Sequence, residues 1–199
     1  MSARPREDRG FTLIELMVSS ALLVLVLSAV GGMLISSMSA EDTVRDTTSA
    51  ARSGQLAAAT LTKGVRQARA VEVTTPFAGA VLVRTLIIDD PTVGSARAHC
   101  EAWVFAGGEI RTQRSATAIP APVSVAATSG WTLLTSGVQP VAGRAIASAN
   151  GAGVDIAFQV SHDDGPKALI ETQAVSRQAD PVSGDLAPLP APLEEDQCF

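Results

Sequence analysis

Residues Gly10-Phe11-Thr12-Leu13-Ile14-Glu15-Leu16 (GFTLIEL) open an apolar run that reaches about Met38. Ahead of it stands a short charged head with Arg4, Arg6 and Arg9. A helix over 11–38 rises about 1.5 Å per residue and is long enough to span a bilayer. One charge interrupts the run, Glu15. A carboxylate at the centre of hydrocarbon costs on the order of 3 kcal/mol, and less near an end, so it calls for a partner or a purpose. A secretory signal has an apolar core of about 7–15 residues followed by a small-residue cleavage site. Ser39-Ala40 would supply such a site, but the core here is about twice that length and holds an acid. A plain membrane anchor accounts for the length but not for a Glu behind Gly-Phe-Thr-Leu-Ile.

The eight residues Arg9 to Leu16 resemble the cleavage and methylation motif of type IV prepilins and type II secretion pseudopilins. The resemblance covers roughly the first 30 residues. It implies that a prepilin peptidase, which is also an N-methyltransferase, cuts between Gly10 and Phe11 and methylates Phe11. It further implies that Glu15 meets the amine of a neighbouring subunit and sets register during assembly with other pilins or pseudopilins on an inner-membrane platform. The residues suit that chemistry. Glycine at position 10 lets an enzyme approach the backbone closely. Cleavage creates an ammonium at the positive end of a helix dipole, which is unfavourable, and Glu15, four residues on, shares its helix face.

Charge placement predicts topology. Arg4, Arg6 and Arg9 precede the span, whereas Glu41, Asp42 and Asp46 follow it. Basic flanks mark the cytoplasmic side, so the N-terminus is expected inside and the remainder outside. The chain has 199 residues and a net charge of −5. The head contributes three Arg against Glu7 and Asp8, so its removal leaves the mature side chains at −6. An acidic balance without tyrosine and with few other aromatics argues against nucleic-acid binding. The outer compartment permits disulfides, and the two cysteines, Cys100 and Cys198, are expected to pair and pin the C-terminus; two buried free thiols are the alternative.

The rest of the chain divides by pattern. Residues 1–10 read as a leader, 11–38 as a membrane or filament-core segment, and 39–70 as the extracytoplasmic half of the same helix. The whole helix would measure roughly 90 Å. Gly31-Gly32 are a candidate local breaker within it. Val44, Ala51, Gly54, Ala58, Leu61, Val65 and Ala68 form one helical face. Residues 71–180 read as a β-rich domain. Strands are expected over Ala80–Ile88, Cys100–Phe105, Glu109–Ser115, Ala145–Ala149, Val154–Val160 and Ala168–Val175. Ala106-Gly107-Gly108 and Asn150-Gly151-Ala152-Gly153 are the hairpin signals. Residues 116–130 read as loop, Trp131–Val138 is ambiguous, and 181–199 reads as an extended, proline-rich tail. This is an α+β order: one long N-terminal helix laid on an antiparallel sheet, the architecture that the pilin resemblance implies.

Candidate chemistry is sparse. His99 and His162 lack metal-ligand spacing. Asp163 and Asp164 in His162-Asp163-Asp164-Gly165 offer carboxylates to calcium, but Asp-Asp-Gly is also an ordinary turn. There is no phosphate loop and no nucleophile elbow, so neither a catalytic residue nor a cofactor is expected. The function that follows is a structural subunit, a minor pilin or pseudopilin of a type IV pilus or type II secretion-like filament. The chain length and the Trp131–Val138 region resemble the larger minor pilins and the J-type pseudopilins. The rival is a membrane-anchored binding module or enzyme that uses 11–38 only as a tether.

Overall fold

The computed structural model describes residues 12–88, 98–161, 165–177 and 198–199. The chain forms two units, Met1–Val44 and Arg45–Phe199. Helix α1, Leu13–Gln67, is unbroken by proline. Gly31 and Gly32 lie within it in helical conformation.

In the second unit α1 is followed by nine strands and one 3-10 turn among the described residues. Strands β1 (Ala68–Thr74), β2 (Val81–Ile88), β3 (Ala98–Ala106), β4 (Glu109–Ser115) and β5 (Thr132–Ser136) form an antiparallel meander in sequence order. Strands β6 (Val138–Pro140), β7 (Ala147–Asn150), β8 (Gly153–Val160) and β9 (Ala168–Val175) form a second sheet built around β8, which pairs with the other three. The 3-10 turn is Val125–Thr128, inside the segment expected to be loop.

The single sheet expected from the sequence is therefore two sheets. The division falls at Gly137, between β5 and β6, whose φ of +72° is open to glycine at little cost. A Cβ there would overlap the Ser161 carbonyl, while the Ser161 N–H donates to the Gly137 carbonyl at 3.1 Å. The chain turns at this point from the edge of the first sheet onto β8. The ambiguous stretch Trp131–Val138 thus holds most of β5 and the start of β6. The β3–β4 hairpin turns on Gly107 and Gly108, both at positive φ, +60° and +76°, the geometry that a tight two-residue turn demands.

Two cores result. The first lies between α1 and the sheets. Ala50, Gly54, Ala57, Ala58, Leu61, Gly64 and Val65 are the buried helix positions. They meet Trp103 and Phe105 of β3, Val83 of β2, and Val154, Ile156, Phe158 and Val160 of β8. The alternation of those four β8 residues is the period-2 pattern of a strand with one apolar face. The small helix residues set the spacing: a Cβ on Gly54 would lie 3.0 Å from both Val160 Cγ2 and Ile170 Cγ1. The second core covers the other face of the first sheet, with Leu82, Leu86, Ala102 and Val104 packed beside Ile119 and Cys198. Strand β2 is thus covered on both faces, which is why its sequence runs nearly continuously apolar instead of alternating.

The expected helical face is partly displaced. Val44 is 65% exposed and Ala51 half-buried, whereas Ala50 and Ala57 are buried. Val44, Ala51, Ala58 and Val65 follow a strict seven-residue spacing, and a straight helix drifts about 20° per heptad away from it. The helix also ends earlier than expected, at Gln67, with β1 starting at Ala68 and no loop between. The Arg177 N–H donates to the Arg66 carbonyl at 3.1 Å, satisfying one acceptor left open at the helix end. The Ser176 hydroxyl donates to the Ala68 carbonyl at 2.6 Å.

Candidate functional site

The N-terminal turn of α1 is built by Thr12. Its hydroxyl accepts from the Glu15 N–H at 3.3 Å, and its carbonyl accepts from the N–H groups of Glu15 and Leu16 at 3.1 and 3.2 Å. Thr12 is thus the N-cap and Glu15 the third helical residue, the T-x-x-E arrangement of a capping box. Glu15 is also the acid of the first turn, where negative charge is favoured by the helix dipole. The sequence carries this signal locally, in Thr12-Leu13-Ile14-Glu15.

From Leu13 to Met38 the large apolar side chains are exposed, with Leu13, Met33 and Ile35 among the most open at 79, 72 and 68%. Two hydroxyls in this stretch, and Ser39 just beyond it, bond back onto their own helix. Ser20 donates to the Met17 carbonyl at 2.9 Å, Ser28 to Val24 at 2.8 Å and Ser39 to Ile35 at 3.2 Å. These three hydroxyls are satisfied without water, which suits a helix surrounded by apolar groups. A Cβ on Gly31 or Gly32 would meet nothing within 4 Å. The helix is long and apolar enough to cross a membrane once.

Cys100 of β3 and Cys198 form a disulfide, with their Cα atoms 5.4 Å apart. It holds the C-terminal residue against the first sheet, where the Phe199 ring lies 5.5 Å from the Arg84 guanidinium. Arg84, on β2, is 9% exposed, yet its charge is well partnered. It bonds Glu72, its cross-strand neighbour on β1, through Nε at 2.8 Å and through Nη2, and donates to the Ile119 carbonyl at 3.2 Å. Nothing local in the sequence announces this cluster, because its members come from β1, β2, the loop before the 3-10 turn and the last residue.

His99 lies in β3. Arg114 donates to its Nδ1 at 3.1 Å, so Nδ1 is the acceptor and the proton sits on Nε2, 3.7 Å from the Glu101 carboxylate. Among the described residues no group of three or more His, Cys, Asp or Glu side chains could hold a metal ion. Gly10 and Phe11, the expected cleavage site, and Asp163 and Asp164, the calcium candidates, lie outside the described residues, as does the tail up to Gln197.

The family model of the prokaryotic N-terminal methylation motif matches residues 5–31. The matched segment holds Gly10, Phe11, Thr12 and Glu15 together with the start of the apolar helix. The match is to that N-terminal segment, 27 of the 199 residues; behind it, among the described residues, stands one long apolar helix followed by antiparallel sheets. No curated protein and no solved structure matches the chain.

Proposed function

We propose that this chain is a structural subunit, a minor pilin or pseudopilin, of a type IV pilus or type II secretion-like filament. Residues 1–10 are a leader; prepilin peptidase removes it after Gly10, and the new N-terminus at Phe11 is methylated. The N-terminus starts inside and the β-rich domain outside, with Arg4, Arg6 and Arg9 holding the orientation. The observation that carries the reading is the methylation motif at residues 5–31 standing directly ahead of a helix whose apolar side chains are exposed from Leu13 to Met38.

The physics of assembly follows from that helix. Lipid tails and neighbouring apolar helices are nearly equivalent surroundings for Leu, Val and Ile, so moving from bilayer to bundle changes the hydrophobic term little. Packing fit and polar pairing then decide register. Glu15 is the one charged side chain between Phe11 and Met38. In the bundle it pairs with the Phe11 ammonium of a neighbouring subunit, which relieves two unfavourable placements together: an acid in apolar surroundings and a cation at a helix N-terminus.

Glu15→Gln and Glu15→Ala test this role, because glutamine can serve the same N-terminal cap while carrying no charge. Both variants are expected to be processed and to fold, and both to fall about tenfold or more in sheared filament fractions, corresponding to at least about 1.4 kcal/mol. Incorporation of Glu15→Gln at the unaltered level would contradict the pairing role.

A further inference from the structure

Strand β9 pairs with β8 along one edge and with no strand along the other among the described residues. Exposed strand edges present unpaired N–H and C=O groups and are ordinarily blunted by charges, proline or bulges. The β9 sequence, ALIETQAV, carries one charge, Glu171, and that charge is paired with Arg144. Leu169 and Val175 leave apolar surface exposed on the same strand. This edge is a template for another strand.

Beside it runs a groove of about 600 Å3 between β9 and the outer part of α1. Ala58 and Ala59 line its floor and admit a backbone closely, while Lys63, Arg66 and Arg177 line one end. Among the described residues none of these three cations has an ion-pair partner. Lys63 and Arg66 are three residues apart on one helix face, and Arg177 is fixed beside them by its backbone bond to the Arg66 carbonyl. The same three residues also line a second groove of about 490 Å3, to which Arg114 and His99 contribute along with Glu101. A cation in the last helical turn is favoured by the helix dipole, typically by less than about 1 kcal/mol at the surface. That accounts for Arg66 but not for Arg177, which arrives from the end of β9. The cationic end is conspicuous in a chain whose net charge is −5.

We propose that this groove docks an extended acidic peptide segment of a partner protein, which adds to the β9 edge as a further strand and sets carboxylates on Lys63, Arg66 and Arg177. Main-chain pairing supplies the geometry and the cations supply selectivity, the division of labour in strand addition. No Phe, Tyr or Trp side chain lines either groove, and the one imidazole, His99, lies in the second, so successive bases would find little stacking surface and a single-stranded nucleic acid fits poorly. The inference is independent of Glu15 and of processing at Gly10.

The probe is a fluorescein-labelled eight-residue peptide of alternating Asp and Val, titrated by anisotropy against the full chain in detergent micelles. Saturable binding is expected. The triple variant Lys63→Glu, Arg66→Glu, Arg177→Glu should weaken it at least about tenfold, and N-methylation of alternate peptide amides should do the same on the unaltered chain. Circular dichroism establishes that the variant is folded; Arg177→Glu alone, at an exposed position, serves should the triple variant fail. Absence of saturable binding would overturn the proposal, as would equal affinity for the N-methylated peptide. Tighter binding of a thymidine oligonucleotide would overturn it in favour of nucleic acid. A chain in which Asp180, Asp185, Glu194, Glu195 and Asp196 are neutralised should bind the peptide unchanged; a large gain would mean that the chain's own acids fill the groove, and would also overturn it.

Discussion

At Gly64 two physical effects oppose one another. Replacing a helical glycine by alanine gains up to about 1 kcal/mol of helix propensity. Yet a Cβ here would overlap Cη2 of the Trp103 ring and lie 2.7 Å from Cζ2, and Trp103 is 0% exposed. Overpacking of such a ring costs about 1–3 kcal/mol, with no room for the indole to retreat in a filled core. Gly64→Ala is therefore expected to destabilise the chain by about 1 kcal/mol or more, whereas Gly31→Ala, with nothing within 4 Å of its Cβ, should leave stability unchanged or raise it. Denaturant titration followed by tryptophan fluorescence and circular dichroism compares the two; a Gly64→Ala chain as stable as the parent would contradict the packing account. The residues that were legible in the sequence are those whose meaning is local. Thr12 and Glu15 sit within one helical turn, so their spacing carried the motif and the cap. The Gly64–Trp103 contact and the Arg84–Glu72–Phe199 cluster join residues far apart in the chain, and only the fold brings them together.

At the scale of elements, strands bounded by strong turn signals were readable. Strands β4 and β9 have the expected limits, and β2, β3 and β8 lie within two residues of theirs. Strand β1 was missed because Val65 and Ala68 extended the helical stripe over its start, hiding the alternation of Val71 and Val73 with Glu72 and Thr74. The split into two sheets was illegible because it turns on one glycine, Gly137, whose role depends on Ser161 across the fold. The disulfide acts at this scale, tying the last residues to β3 across a sequence separation of 98. Closing a loop of that length removes at most about 5 kcal/mol of unfolded-chain entropy. Replacing both cysteines by alanine is expected to lower stability by several kcal/mol toward that limit and to loosen Phe199 from Arg84. The denaturant midpoint measures the first effect; an unchanged midpoint would show that the cross-link does not stabilise the fold.

At the scale of the whole molecule, the helix whose first half exposes apolar side chains runs on into a folded domain with its own two cores. Such a helix is a liability in water and an asset in a bilayer or a bundle, and the proposed function has it pass from one to the other. A tethered module of unrelated function would keep the same anchor but would have no use for a cut beside Glu15. The intact mass of the protein extracted from membranes of a host with prepilin peptidase separates the two most directly. The extracted chain is expected to begin at Phe11 and to carry one additional methyl group on its N-terminus. A chain that still begins at Met1 would contradict it.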